Sequence, residues 1–272
     1  MTDAAEDHLK DQVRRYWNQQ SCETDRARSA KFTLEYFEEI EQWRYQDQPF
    51  IQSFAQFTRY HGKRVLEVGF GAGTDFIQWL RAGAVASGID LTQEALENLR
   101  HRVQVYGLPS PERIEVADAE RLPFPSESFD LGYSFGVLHH TPDTEKAIAE
   151  LLRVIRPGGE MKIMLYNRWS IFAFNLWARH ALLRGQPWKS LGWALWNHME
   201  SLGTKGYTRA ELRRMLSKLP LTDLRIQTET TGVDHVVASK AFCLLNPFYR
   251  LAARVSNKRL GFFHCISATK IG

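Results

Sequence analysis

The stretch Arg64-Val65-Leu66-Glu67-Val68-Gly69-Phe70-Gly71-Ala72-Gly73-Thr74 constrains this chain more than any other. It opens as a short apolar run suited to a buried parallel strand. Three glycines at alternate places follow, and then Phe76-Ile77-Gln78-Trp79-Leu80 with the spacing of a helix. Glycine has no Cβ and tolerates positive φ, so strand, glycine turn and helix together let main chain approach a ligand closely. A second strand, Ala84 to Asp90, ends in an acid about 20 residues beyond the first glycine, the spacing at which a carboxylate meets ribose hydroxyls in a βαβ nucleotide site.

The alternation of strand and helix continues. Thr92 is an expected N-cap for a helix reaching Tyr106, with Gly107 as its stop. Arg113 to Asp118 reads as a third strand and Asp130 to Phe135 as a fourth, followed by the loop Gly136-Val137-Leu138-His139-His140-Thr141-Pro142-Asp143. Thr141 is the expected cap of the next helix, with Pro142 at its first position. Arg156-Pro157-Gly158-Gly159 reads as helix stop and turn before a fifth strand, Glu160 to Tyr166. Thr208 followed by Glu211 is a capping-box pattern. Leu221 to Thr228 and Phe262 to Thr269 complete the strands.

Thr74, where the dinucleotide fingerprint has another residue, separates the glycine turn from that form. Glu67-Val68-Gly69-Phe70-Gly71-Ala72-Gly73 instead resembles the first motif of the class I S-adenosylmethionine-dependent methyltransferases, acid-x-Gly-x-Gly-x-Gly, at every fixed place. The likeness is continuous from about Arg64 to Tyr166, includes Leu122-Pro123-Phe124-Pro125-Ser126-Glu127-Ser128-Phe129-Asp130 and Pro157-Gly158-Gly159, and is nearest to the quinone-biosynthesis and small-molecule subgroup. It implies an α/β fold: a doubly wound, mostly parallel, seven-stranded Rossmann-like sheet with an antiparallel last strand. It also implies S-adenosylmethionine as cofactor. Glu67, Gly69, Gly71 and Gly73 would form the turn on its methionine side, Asp90 with Leu91 would take the ribose, and Asp118 with Ala119 the adenine; Ser134 completes the set. Tyr16 and Trp17 would close over it from an N-terminal helical cap, residues 1–60, with the catalytic domain at 61–272.

Two stretches exceed the minimal fold, at about 167–205 and 229–261. The first is rich in tryptophan (Trp169, Trp177, Trp188, Trp193, Trp196). Both are expected near the acceptor pocket, with Tyr166, Asn167 and His235 as substrate-binding candidates and Asp234 beside His235. A dimer face is the competing reading. A third is peripheral membrane contact, since Arg250, Arg254, Lys258 and Arg259 follow an apolar run.

Methyl transfer from a sulfonium is an in-line displacement that needs no metal to release the methyl group. The protein must hold the acceptor in line and, for a hydroxyl, phenol or ammonium, remove a proton. His140, then His139, are the candidate bases, because imidazole titrates near neutrality. The expected acceptor is a small aromatic or lipophilic molecule, methylated on oxygen before nitrogen or carbon. A nicotinamide-dependent oxidoreductase and a non-catalytic binding module are the alternatives.

Composition narrows the rest. A net charge of +4 over 272 residues does not imply nucleic acid. Cys22, Cys243 and Cys265 have no metal-binding or CxxC spacing. The acidic N-terminus is unlike a secretory signal, and no apolar run is long enough to span a bilayer. A cytoplasmic monomer or homodimer is expected.

Overall fold

The computed structural model describes residues 3–19, 21–235, 251 and 259–272. Within them an eight-stranded sheet carries helices on both faces. Its strands are β1 (Arg64–Val68), β2 (Val85–Asp90), β3 (Arg113–Val116), β4 (Phe129–Phe135), β5 (Ile155–Asn167), β6 (Gly206–Tyr207), β7 (Leu221–Glu229) and β8 (Phe263–Lys270). The order is β3-β2-β1-β4-β5-β8-β7, with the two-residue β6 paired to β5. All pairs are parallel except those of β8, which runs antiparallel to both β5 and β7. The expected fold class therefore holds, with β6 added.

Period-two alternation divides the core. On β1, Val65 joins one apolar layer, while Leu66 and Val68 join the other. The first layer receives α3 (Phe50–Ala55), α4 (Phe76–Arg81) and α5 (Gln93–Val105). The second receives α6 (Thr144–Val154) and α9 (Arg209–Leu216). Ile51, Ala55, Phe57 and Tyr60 share the first layer with Val65 and Tyr133, so the residues before 60 are partly built into the core. α1 (Asp3–Gln19) and α2 (Leu34–Asp47) both pack against α5, and Phe32, Tyr36, Phe37 and Ile40 make a satellite cluster around Ala72.

The local signals fare unequally. The Thr92 hydroxyl accepts from Ala95 N, and Thr208 and Glu211 make both bonds of the capping box. Thr141 does not cap α6. Asp143 does so, accepting from Lys146 N, because the Leu138–His140 segment coils into a 3-10 turn and Thr141 Oγ1 donates back to Leu138 O. Arg156-Pro157-Gly158-Gly159 is not a turn between elements either. It lies inside β5, where Phe129 faces Ile155 and Leu131 faces Glu160, so the extra residues bulge out of the ladder.

The insertion after β5 folds as α7 (Ile171–His180), a 3-10 turn at Leu182–Arg184 and α8 (Leu191–His198). Most of the second insertion lies outside the described residues, Cys243 and the basic residues Arg250, Arg254 and Lys258 included; α10 (Gly232–His235) opens it.

Candidate active site

A cavity of about 490 Å³ opens at the carboxyl ends of β1, β2, β4 and β5. β1 lies between β2 and β4, where the chain reverses the direction in which it adds strands, the usual place for a ligand in an open α/β sheet.

On one side stands the glycine turn, with Gly69, Gly71 and Gly73 at φ of 81°, 51° and 75°. At Gly69 a Cβ would fall 2.2 Å from Val137 Cγ2, so this position admits no side chain even apart from its backbone conformation. Gly71 N donates to Asp90 Oδ2 at 3.0 Å, while Asp90 Oδ1 takes Thr92 N at 3.0 Å and Thr92 Oγ1 at 2.8 Å. Three bonds leave this carboxylate room for another donor. Burial also raises its pKa, against the pull of those bonds, so a further donor there is favourable. Leu91 lines the cavity beside it.

Asp118 and Ala119 line the far end. Asp118 Oδ1 accepts from Glu120 N at 2.9 Å, and Lys10 of α1 places Nζ 2.7 Å from Asp118 Oδ2 and 2.8 Å from Glu120 Oε2. The N-terminal helix is thereby tied across this end of the cavity. Farther along α1, Tyr16 and Trp17 also line it. Their rings meet edge to face at 5.0 Å, and Trp17 meets His140 at 5.5 Å.

Beneath the turn lies a buried polar web. Glu67 accepts from Trp79 Nε1 at 2.7 Å. Burial and the charge of Asp75 push the Glu67 carboxyl well up. Asp75 takes Arg44 Nε at 2.9 Å, Arg44 Nη2 at 2.6 Å, Tyr45 Oη at 3.0 Å and Tyr133 Oη at 2.8 Å. Arg44 Nη1 reaches Glu23 at 2.6 Å. Arg102, fully buried, donates to Ala72 O, Thr74 Oγ1, Phe37 O and Glu41 Oε2, clamping the turn to α2.

The opposite wall is aromatic. Tyr166 stacks on Phe262 at 4.1 Å and meets His139 in a tilted contact at 3.8 Å, and its hydroxyl donates to Glu200 Oε2 at 3.0 Å. His140 Nδ1 lies 2.9 Å from Ser201 Oγ and 3.0 Å from Thr204 Oγ1, and its Nε2 is 3.5 Å from Glu200 Oε2. Phe172 and Met199 extend this wall from the first insertion.

The two histidines do not suit the role expected of them. Burial, with Lys205 nearby, lowers His140 to about 3. Burial and then the charge of His140 push His139 well down. Both are neutral at pH 7 and accept protons poorly. His139 does not line the cavity, and neither of its ring nitrogens has a hydrogen-bond partner. Glu200 is better matched to neutral pH. Desolvation by the surrounding side chains raises it to about 7, the Tyr166 bond pulling down and Glu23 pushing up, although the Glu200 side chain keeps 29% of its surface open to solvent, which tempers the shift. Its backbone also sits at φ 32°, and that of Glu23 at 68°, uncommon for residues with a side chain and a mark of positions held in place by their surroundings.

Three further expected residues stand away from the cavity: Gly73, where a Cβ would fall 2.8 Å from Leu99 Cδ1, Ser134 and Asn167. Ser134 is fully buried and donates to Val68 O at 2.8 Å. Asn167 is buried too; its Nδ2 donates to Gly261 O at 2.8 Å and Arg259 O at 3.2 Å, and its Oδ1 accepts from Trp169 N at 2.9 Å. These bonds tie β5 to the chain entering β8. The His235 side chain lies outside the described residues, while Asp234 Oδ2 accepts from Thr231 N and Phe262 N. Sequence reasoning missed Arg44, Asp75, Glu23 and Glu200. Asp75 directly follows the glycine motif and was open to being found. The others reach the cavity from α2 and from loops with no motif of their own.

Around the cavity, acids (Glu23, Asp25, Asp47, Glu67, Asp75, Asp90, Asp118, Glu200) outnumber bases (Lys10, Arg26, Arg44), eight to three. That balance favours a ligand carrying positive charge.

The sequence comparisons bear on the class. A family model described as a methyltransferase domain matches residues 66–163. Over residues 66–163 the chain thus matches a methyltransferase domain, in line with its resemblance to the class I S-adenosylmethionine-dependent methyltransferases. Among its relatives are Methyltransferase GfsG of Streptomyces halstedii, 36% identical over 38% of this chain and 37% of that protein, and a phosphatidylethanolamine N-methyltransferase of Cereibacter sphaeroides, 37% identical over 38% of this chain and 50% of that one. The alignments thus span half or less of these relatives. Similar solved structures include a phosphoethanolamine N-methyltransferase of Haemonchus contortus, with a TM-score of 0.60 at 16% identity over 96% of this chain and 60% of that one. The [4+2]-cyclase SpnF has a TM-score of 0.56, also at 16% identity, over 97% of this chain and 95% of that one. At such identities the likeness is one of fold.

Proposed function

We propose that this chain binds S-adenosylmethionine in the cavity and methylates an oxygen, or else a nitrogen or carbon, of a small aromatic or lipophilic acceptor. One observation carries the reading. The glycine turn, Asp90 and Asp118 occupy one side of the same cavity whose other side is formed by Tyr166, His140 and Glu200. Its volume lies within the usual range for small ligands, about 300–1,000 Å³.

The residues present fit the cofactor. The space that a Cβ would fill at Gly69 is closed by Val137, bringing main chain to the cavity wall, and Asp90 keeps capacity for a ribose hydroxyl. Asp118 would face the adenine. The acid excess suits a sulfonium. Bound there, S-adenosylmethionine supplies a methyl group on a positively charged sulfur.

The protein's own work is then positioning and proton removal. Tyr166, Phe172 and Phe262 present flat apolar surface to the acceptor. Glu200, near half ionised at neutral pH, takes the acceptor's proton; Tyr166 Oη and His140 hold its carboxylate in place. Trp17 and Tyr16 cover the opening and limit water.

Calorimetric titration with S-adenosylmethionine and with a nicotinamide dinucleotide tests the donor assignment. The first binds and the second does not. Asp90→Ala weakens the first by about 100-fold, near the worth of one or two bonds to a charged group. Undiminished affinity in that variant would sink the reading. Incubation with labelled donor and a metabolite extract, followed by mass analysis, then identifies the acceptor.

A further inference from the structure

The first insertion has a surface that the site does not use. Between Asn167 and Met199 there are five tryptophans, four Arg or Lys residues and no Asp or Glu. At its tip, between α7 and α8, Leu182, Leu183 and Trp188 are 43%, 59% and 74% exposed. Arg184 and Lys189 stand among them, and no carboxylate of the described residues pairs with either.

This exposure is built in. Ala181 is fully buried, Gln186 N donates back to Ala181 O at 2.9 Å, and Gly185 N donates to Leu182 O at 3.1 Å. Trp177 Nε1 donates to Lys189 O at 2.6 Å. A closed, hydrogen-bonded turn therefore holds three large apolar side chains outward beside two cations. Water gives no reason to keep them there.

We propose that this tip docks onto an anionic phospholipid bilayer, the apolar side chains entering the interface and Arg184 and Lys189 meeting lipid phosphates. Tryptophan and leucine flanked by cations match the chemistry of that boundary. A second copy is a poorer occupant, because a two-fold contact would set the same cations face to face. The tip is also continuous with the cavity, since Phe172 and Met199 of the same insertion line its wall. A bilayer-seated tip therefore places the acceptor side near a source of lipophilic molecules. Docking itself stands apart from the proposed methyl transfer and is measured without donor.

The test is cosedimentation of the full chain with vesicles of phosphatidylcholine alone and of equal parts phosphatidylcholine and phosphatidylglycerol. Binding is expected at least about tenfold tighter on the mixed vesicles and weaker in high salt. Replacing Leu182, Leu183 and Trp188 together by Ser is expected to lower affinity by more than about tenfold. The pair Arg184→Gln and Lys189→Gln, which removes both charges and keeps the apolar side chains of the tip, should erase the preference for anionic lipid. Several outcomes overturn the proposal: no binding to either vesicle, equal binding by all variants, or a concentration-dependent dimer in light scattering that the serine variant abolishes. The last would assign the tip to a second copy, and binding only to an acidic protein would assign it to such a partner.

Discussion

The two sides of the cavity are built on opposite principles. On the glycine-turn side the buried carboxylates are densely bonded: Asp75 has four donated bonds, Asp90 three, and Arg102 ties the turn to α2. On the Tyr166 side the wall is aromatic, its imidazoles are incompletely bonded, and Glu200 is held at a proton affinity near neutrality. A matched, interlocked wall holds one ligand in one pose. Under the proposed methyl transfer, an aromatic wall with one raised carboxyl would admit acceptors of differing outline and still take a proton from them. The contrast teaches that rigidity and reactivity are separated across the cavity.

The sharpest way to break this contrast is to disturb the matched side. Arg44→Met strands the buried Asp75 carboxylate, and a loss of stability of about 3–5 kcal/mol is expected in denaturant unfolding. A change within error would show that the web is ornamental. On the reactive side, Glu200→Gln should leave thermal stability and donor affinity near those of the parent while lowering kcat by about 100-fold or more for a hydroxyl acceptor. A drop confined to donor binding would move Glu200 to the other half of the comparison.

The pH dependence sharpens the same point. Glu200 must be ionised to accept a proton, and its pKa is raised to about 7. Activity per free enzyme, kcat/KM, should rise about tenfold per pH unit below neutrality and level off above it, the slope vanishing in Glu200→Gln. If His140 were the base, the inflection would lie near its own value of about 3 instead. The smallest effect belongs to the tie across the cavity. Lys10→Met loosens α1 from Asp118 and Glu120 and should weaken the donor by only about threefold, the scale of a partly exposed ion pair.

Legibility followed the range of the interaction. The glycine turn, the β2 acid and the capping box are short-range features, and each appears where its spacing predicts. Thr141 and the Pro-Gly-Gly stretch were misread for a common reason: each signal was local, but the outcome depended on a neighbour. Leu138 O claims Thr141, and the β4 ladder absorbs the Pro157-Gly158-Gly159 turn as a bulge. Ser134 and Asn167 lie close to the right strand ends, yet tertiary bonds turn them to structural work. His139 and His140 look suited to proton transfer by type, and burial together with neighbouring charge lowers their affinity for a proton.

What the order of residues determined by itself is the framework: which segments are strands, where main chain must pass without side chains, and that an acid follows at the end of β2. Those are consequences of backbone sterics and hydrophobic period, both carried by neighbours in the chain. Only the folded chain decided that Arg44 would pair with Asp75, that Glu200 would stand beside Tyr166 and that their surroundings would raise the Glu200 carboxyl while lowering the His140 imidazole. Those outcomes depend on distance and desolvation between groups remote in sequence, and neither quantity exists before the chain has closed on itself.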